Sequence, residues 1–409
     1  MGKRWRINAG DLWIQEILFI LLPVFPLLDF FSPYKIPYLS ILVYMVLLGM
    51  FCSKDFKYYL ALIAYVVVNI LSIFLSIVFY GLNTEQLYYI MVLLTFSMLG
   101  IGIGGRENRY INILYRMMFL YFVINTCIYF FRLIQYGFDI SRVRGGVAIY
   151  GGNSAHFIYL TLLFLLKQHK EKKQSYYRAL MICVINAVMF VSKGAMIITF
   201  IWILLDIVNH KDSKIFDFRN VIMAFIIIVL FFCLCFYRPQ FLSYIANRFV
   251  GWNHSFQKSG SIMGERGQIF KFTIDYIREN PIFLFFGIGS TNYKIVNPWG
   301  YSSPHNLFLD VLINDGVFCL TFFLCIVLKT LWHVQYKFYY MLCIIYATLE
   351  GVALFYVDES SCIMTGYAFM FLIIIFISSK TQINERHKQK IRNRPSLGVR
   401  HKRVPWIIC

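Results

Sequence analysis

Long apolar stretches constrain this chain more than any other feature. Runs of about 17 to 25 mostly apolar residues recur along its whole length, and a helix of that length crosses a hydrocarbon layer about 30 Å thick. Hydrophobic residues make up 59% of the 409 residues and charged residues only 14%, whereas soluble domains average about half and a quarter. The sequence therefore predicts an all-α, polytopic membrane protein.

About twelve transmembrane helices can be distinguished by hydropathy. They lie near 12–31, 36–52, 57–80, 87–104, 111–133, 153–167, 178–191, 194–209, 221–237, 306–330, 338–356 and 362–379. Only Ser192, Lys193 and Gly194 separate the seventh span from the eighth, so this pair could also be one long helix. The total length of the pair and the charges that flank it favour a break at Lys193.

The basic residues predict the orientation of the spans. A formal net charge of +19 would suggest nucleic-acid binding in a soluble protein, but here the lysines and arginines lie in loops between apolar runs. Placing both termini in the cytoplasm puts the basic residues of every short loop on the cytoplasmic side, as the positive-inside rule requires. We therefore expect a multi-pass inner-membrane protein with cytoplasmic termini, lipid contacts and no nucleic-acid partner.

This orientation leaves one long segment, 238–303, on the outer side of the membrane. Within it, Glu265 to Asn280 is amphipathic and predicts a short helix at the interface. Pro281 and the glycine-rich run Gly287 to Thr291 then return the chain to the membrane. The predicted organisation is nine spans in 1–237, the outer loop in 238–303, three spans in 304–379 and a basic cytoplasmic tail in 380–409.

Several basic residues lie on the outer side, against the general bias: Arg142, Arg144, Lys193 and Arg266. Any one of them could simply contact water or lipid headgroups. A lone lysine in a three-residue break between helices is costly near hydrocarbon, however, and is usually kept for an anion. Helix ends and arginine forks suit phosphate oxygens. The outer cations therefore predict a phosphate or pyrophosphate site.

His305 and Asn306 open the tenth span, with Asp310 one turn further on the same face as Asn306. One interpretation is a polar helix cap, together with Ser302 or Ser303. The other is a proton acceptor, because a neutral histidine can take a proton from an attacking hydroxyl. No cysteine and histidine set is spaced for zinc, and no carboxylate pair typical of a metal-using transferase is evident. We therefore expect no metal and no cofactor.

Four segments carry a family resemblance: RGGVAIYGGNSAHF (144–157), VSKGA (191–195), ERGQIFKFTIDYIRENPIFLFFGIGSTNY (265–293) and HNLFLDVLINDGVF (305–318). In order and spacing they resemble the bacterial O-antigen polymerase and O-antigen ligase family, which are membrane glycosyltransferases of polysaccharide and lipopolysaccharide biosynthesis. The resemblance covers roughly residues 140 to 320. The first five spans match the family only in hydropathy.

The resemblance implies roles for individual residues. Arg266 looks like the loop arginine that binds the donor pyrophosphate, and His305 looks like the histidine that activates or orients the acceptor hydroxyl. Lys193 stands where many members have arginine and lacks the bidentate fork. Arg142, Arg144, Asn306 and Asp310 are further candidates for contacts with pyrophosphate or glycan. Asn153 also matches the family, without a defined role.

The resemblance also implies a reaction. A glycan on undecaprenyl pyrophosphate would be the donor, and a hydroxyl of the next lipid-linked repeat unit would attack it with inversion, expelling undecaprenyl pyrophosphate. The enzyme's partners would be these lipid-linked glycans, membrane lipids and the chain-length regulator and flippase of the same pathway. The enzyme would need no metal, because basic side chains can stabilise the leaving group.

Three functions remain open. The segments from 287 to 293 and from 305 to 317 look more like those of polymerases, so a polymerase is favoured. A ligase that transfers the finished glycan to lipid A core would use the same donor and leaving group. A flippase for lipid-linked oligosaccharides, or another transporter, would usually show repeated halves or polar residues near the midplane of the membrane, and neither is evident.

Overall fold

The structure is a computed structural model that describes residues 67–68, 71–81, 109–137, 152–169, 173–190, 192–209, 265–289, 292–300, 303–350 and 375. All regular secondary structure in these residues is helical, in agreement with the predicted class. Arg142, Arg144, the predicted boundary at 237 and the basic tail lie outside the described residues.

The described part of the chain contains ten helices. They are α1 (Leu71–Tyr80), α2 (Arg109–Gln135), α3 (Gly152–Gln168), α4 (Lys173–Met189), α5 (Lys193–Asn209), α6 (Glu265–Glu279), α7 (Ile282–Phe286), α8 (Tyr293–Val296), α9 (Leu307–His333) and α10 (Lys337–Glu350).

Two of these helices contain a segment long and apolar enough to cross a membrane. Leu114–Gln135 in α2 has a mean hydropathy of 1.8, and Leu307–His333 reaches 2.3. Leu71–Tyr80 and Ala155–Gln168 are apolar but shorter. These two helices are thus candidate membrane spans, whereas the count of twelve and the outer position of residues 238–303 stay predictions.

The predicted break at Lys193 is confirmed. Helix α4 ends at Met189 and α5 begins at Lys193. The Ser192 hydroxyl accepts a hydrogen bond from the amide of Ala195 at 3.3 Å, which is the contact that a serine makes when it caps a helix N-terminus. The polar triplet thus ends one helix and starts the next.

Helix α3 forms the centre of the core. Every residue from 155 to 168 is buried, because α2, α4 and α10 pack around it. Near its start, His156 lies 3.1 Å from the Thr199 hydroxyl and 3.4 Å from the Asn186 amide. At its end, the Lys167 ammonium lies 2.5 Å from the Asp206 carboxylate. Polar contacts at both ends of α3 thus fix its position relative to α5. The contact between His156 and Asn186 also joins α3 to α4.

The predicted amphipathic helix is present as α6, which buries Ile269, Thr273 and Ile277 on one face. After α7, the chain turns through Gly287 and Gly289 and packs against a break in α9. Gly316 interrupts α9 with non-helical dihedrals (φ 81°, ψ 178°). The interrupted carbonyls of Ile313 and Asn314 accept hydrogen bonds from the amides of Ile288 and Gly289, at 2.8 and 2.9 Å.

Replacing Gly287 with alanine is expected to destabilise this junction. Its φ of 73° is left-handed, and a Cβ would lie 2.2 Å from the Asn314 carbonyl oxygen. Backbone strain alone costs of order 1–3 kcal/mol, and the clash adds to it. Gly300 is a matched control, since its φ is 67° but nothing lies within 4 Å of its Cβ position. We expect the thermal midpoint of Gly287→Ala to fall clearly below that of Gly300→Ala, and equal midpoints would contradict this tight packing.

Candidate active site

Four segments that are distant in sequence meet around Arg266. Helix α6 carries Arg266 in its first turn, and α10 ends at Glu350. The guanidinium donates a hydrogen bond to the carbonyl of Leu349, and its Nη2 lies 3.8 Å from Glu350 Oε2. The Arg266 side chain is 45% exposed, whereas that of Glu350 is 11% exposed. An ion pair this long and half-exposed contributes about 0–1 kcal/mol, so the guanidinium can exchange Glu350 for a stronger anion.

The Glu350 carboxylate also lies against the helix break at Lys193. A Cβ on Gly194 would be 1.9 Å from Glu350 Oε1, so the carboxylate lies directly against the backbone of this glycine. The carboxylate thus lies beside the N-terminus of α5, where the helix dipole favours negative charge. The start of α5 and the end of α10 therefore meet at this carboxylate.

His305 is held in an unusual backbone conformation. Its φ is 55°, the one positive value at a non-glycine residue in the described part of the chain. Its amide donates to the Ser303 hydroxyl at 3.0 Å, and that hydroxyl donates to Asp310 Oδ2 at 3.0 Å. Ser303 and Asp310 thus hold the loop that presents His305.

Asn306 forms the helix cap that was one interpretation of this segment. Its side-chain oxygen accepts hydrogen bonds from the amides of Phe308 and Leu309, both at 3.1 Å. Both interpretations can hold at once, because Asn306 forms the cap and His305 is the candidate proton acceptor. Capping fixes the start of α9, and His305 precedes the cap.

Electrostatics favour a neutral His305. Burial lowers the pKa of its imidazole, and the positive charge of Arg266 lowers the pKa further. The two residues that the resemblance singles out are therefore close enough for their charges to interact. A neutral imidazole beside a partly exposed guanidinium can accept a proton while the guanidinium holds an anion.

The other predicted site residues differ in how deeply they are buried. Lys193 is half-buried at the start of α5. Asp310 is fully buried and contacts Ser303, so it lies behind the His305 loop. For Asn153 the structure describes the backbone alone. Glu350 lies within the predicted span 338–356, where a charged side chain is costly, and this cost is the sequence signal that marks it.

The family comparison covers this same region. A family model described as O-antigen ligase matches residues 157–324. The chain carries a domain of the O-antigen ligase and polymerase family. Lys193, Arg266 and His305 lie within this O-antigen ligase domain, and Glu350 lies beyond its end. Searches of curated proteins and of solved structures found no match.

The matched domain indicates the class of protein in outline. The O-antigen ligase family consists of glycosyltransferase-like membrane enzymes of polysaccharide biosynthesis. The match over residues 157–324 thus supports a membrane enzyme of the ligase or polymerase type.

Proposed function

We propose that this protein is a membrane glycosyltransferase that polymerises undecaprenyl-pyrophosphate-linked oligosaccharide repeat units at the outer face of the inner membrane. The main support is the pairing of a partly exposed Arg266 with a His305 whose protonation is disfavoured. A transfer from a pyrophosphate donor to a hydroxyl needs one group that stabilises the leaving anion and another that accepts the hydroxyl proton. These two side chains meet both requirements.

In this mechanism the donor pyrophosphate replaces Glu350 as the partner of Arg266. The N-terminus of α5 and Lys193 add positive potential on the side that Glu350 occupies. Pyrophosphate carries more negative charge than a carboxylate and can accept both arms of the guanidinium fork. Glu350 thus keeps Arg266 oriented until the donor arrives.

His305 then acts on the acceptor. A hydroxyl of the incoming repeat unit gives its proton to the imidazole as its oxygen bonds to the anomeric carbon of the donor glycan. The bond between that carbon and the pyrophosphate oxygen breaks on the opposite face, which inverts the configuration. Undecaprenyl pyrophosphate leaves with the electron pair, and His305 releases the proton to water. The protein's own cations supply the charge stabilisation, so the proposed mechanism includes no metal ion and no cofactor.

The proposed setting is a multi-pass protein of the bacterial inner membrane with both termini in the cytoplasm. Its lipid-linked substrates would enter laterally between spans. A flippase and a chain-length regulator of the same pathway are the proposed functional partners, because the first delivers repeat units to the outer face and the second sets when the polymer is released.

Transfer of the finished glycan to lipid A core is the second candidate function. It is favoured by the description of the matching family model, O-antigen ligase. The donor, the leaving group and the roles of Arg266 and His305 would be the same. The two functions differ only in the acceptor.

The glycans of a deletion strain distinguish these functions. Loss of a polymerase is expected to leave a single repeat unit on the core, whereas loss of a ligase would leave polymer on the lipid carrier. A transporter would leave repeat units on the cytoplasmic side. Gel ladders of core-linked glycan and mass spectrometry of the lipid-linked fraction measure these outcomes. Polymer that accumulates on the lipid carrier would contradict the polymerase proposal and support the ligase.

A further inference from the structure

A row of polar side chains on α1 joins this helix to α6, to α9 and to the glycine turn between α7 and α8. Ser72, Ser76 and Tyr80 are spaced four residues apart, so they lie along one side of the helix. Ser72 is 1% exposed and Ser76 is 0% exposed. Polar groups buried this deeply nearly always have hydrogen-bond partners. We call these three residues the α1 stripe.

Both ends of the α1 stripe are bonded to other helices. The Ser72 hydroxyl donates to the carbonyl of Asn314 in α9 at 3.2 Å. At the other end, the hydroxyls of Tyr80 and Tyr276 share a hydrogen bond of 2.6 Å, and Tyr276 belongs to α6. One helix therefore joins α6 to α9.

The middle of the α1 stripe is bonded to the segment between the glycine turn and α8. The side-chain amide of Asn292 donates to the Ser76 hydroxyl and to the Ile288 carbonyl, the latter at 2.7 Å. The Tyr80 ring lies 5.9 Å from that of Phe283 in α7, and it packs against the buried apolar cluster that α6, α7, α8 and α9 form. The α1 stripe thus reaches every element of this unit.

The two helices that α1 joins extend from the α1 stripe to the candidate catalytic groups. Arg266 lies ten residues before Tyr276 on α6 (276 − 266). His305 lies nine residues before Asn314 (314 − 305), in the loop that leads into α9. Ten residues of helix span about 15 Å, so a tilt of about 10° at one end moves the other end by about 3 Å. The contacts of the α1 stripe therefore act on the distance between the guanidinium and the imidazole.

We propose that Ser72, Ser76 and Tyr80 are positioning residues that hold Arg266 and His305 at their working distance. The α1 stripe acts by fixing α6 and the glycine turn on α9, and a misplacement of about 1 Å can cost about 10²-fold in rate. It lies outside the matched domain of residues 157–324, so an earlier part of the chain contributes to the site. This inference rests on the roles proposed above for Arg266 and His305.

The reactivity of His305 with diethyl pyrocarbonate tests the α1 stripe without any assay of glycosyl transfer. The reagent modifies neutral imidazole, and peptide mass spectrometry of the purified full-length protein in detergent gives the rate at His305 alone. Burial and then the charge of Arg266 lower the pKa of this imidazole. The pH of half-maximal reactivity therefore reports how closely the guanidinium approaches the ring.

A combined variant, Ser72→Ala, Ser76→Ala and Tyr80→Phe, removes all three hydrogen bonds and keeps most of the packing. We expect its half-maximal pH to rise towards that of Arg266→Gln, which lacks the positive charge altogether. Adding the three substitutions to Arg266→Gln should give no further rise, because the guanidinium is already gone. Tyr115→Phe, which removes a half-buried hydroxyl from α2, is the matched control and should keep the natural value.

The substitutions leave the charged groups around His305 unchanged. Arg266 acts on the ring from α6, and Glu350 pairs with Arg266 from α10. Asp310 in α9 is joined to the His305 loop through Ser303. Greater access of water to the imidazole would also raise the half-maximal pH, but that rise would persist in the Arg266→Gln background.

If the combined variant is not recovered as a folded protein, Ser72→Ala and Tyr80→Phe are measured singly. Each should then give a smaller rise in the same direction, with thermal midpoints confirming that the variants are folded at the temperature of the reaction.

The proposal is overturned if folded variants keep the natural half-maximal pH, or if their rise is as large in Arg266→Gln as in the natural background. It is also overturned if Arg266→Gln itself keeps the natural value, since the two side chains would then be too far apart to be positioned together. Failure of the polymerase proposal in the deletion strain is a separate result, because this measurement involves no substrate.

Discussion

Replacing Arg266 with alanine is expected to abolish long-chain glycan while the protein remains in the membrane. The Arg266 side chain is 45% exposed, and its contacts with described residues are a long ion pair and a hydrogen bond to the Leu349 carbonyl, so its loss is expected to have little effect on stability. Loss of a group that stabilises developing negative charge typically lowers kcat by about 10²–10³. Glycan ladders from a deletion strain complemented with the variant, with membrane levels of the protein measured in parallel, check this result.

Two further variants separate the charge of Arg266 from its geometry. Arg278→Ala removes an exposed arginine from the last turn of the same helix and should leave the ladder unchanged. Glu350→Gln removes the anion that pairs with Arg266 and should retain polymer, because the proposed donor replaces that anion. Wild-type chain lengths in Arg266→Ala would show that Arg266 does not bind the leaving group.

Replacing His305 with asparagine is expected to remove the proton acceptor and leave the local backbone intact. His305 has a φ of 55°, and asparagine is one of the few residues that adopts such values readily. General-base catalysis is worth about 10²–10⁴-fold in rate, so long-chain glycan should be lost here too. His333→Asn at the far end of α9 is the matched control. A normal ladder in His305→Asn would exclude the histidine as the base.

The pH dependence of transfer gives an independent check on His305. Burial and then Arg266 lower the pKa of the imidazole, so the neutral, active form persists below the ordinary value of about 6.5. With purified enzyme, kcat/KM should be constant above that value and should fall only at lower pH, as the ring becomes protonated. Replacing Arg266 with glutamine removes one cause of the shift, and the inflection in its residual activity should move to higher pH. An inflection above about 7 in the natural enzyme would contradict this assignment.

The fold class and several local features could be read from the chain. Apolar runs of membrane-spanning length predicted helices, and the polar triplet at Ser192 predicted the break between α4 and α5. The amphipathic pattern predicted α6 within one residue of its observed end. These features depend on interactions between residues a few positions apart, such as the Ser192 cap and the apolar face of a helix.

The contacts that form the candidate site could not be derived in the same way. Glu350 carries a charge within a predicted span, but nothing in the sequence pairs it with Arg266, 84 positions earlier (350 − 266), or with Gly194. The break in α9 at Gly316 and the hydrogen bonds from the glycine turn join segments that are separate in sequence. The burial of Asp310 behind His305 likewise depends on how these segments pack.

The sequence by itself determined that this chain is helical and suited to a membrane, and its segments were enough to indicate a family of membrane glycosyltransferases. The length and periodicity of an apolar run are properties of one segment, so they can be read without knowing which other helices pack against it. Only the tertiary structure decided which charges meet, because Arg266, His305, Glu350 and the start of α5 come together through the packing of separate helices. The same packing buries Asp310, Asn314 and Asp315 in the part of α9 that precedes its break.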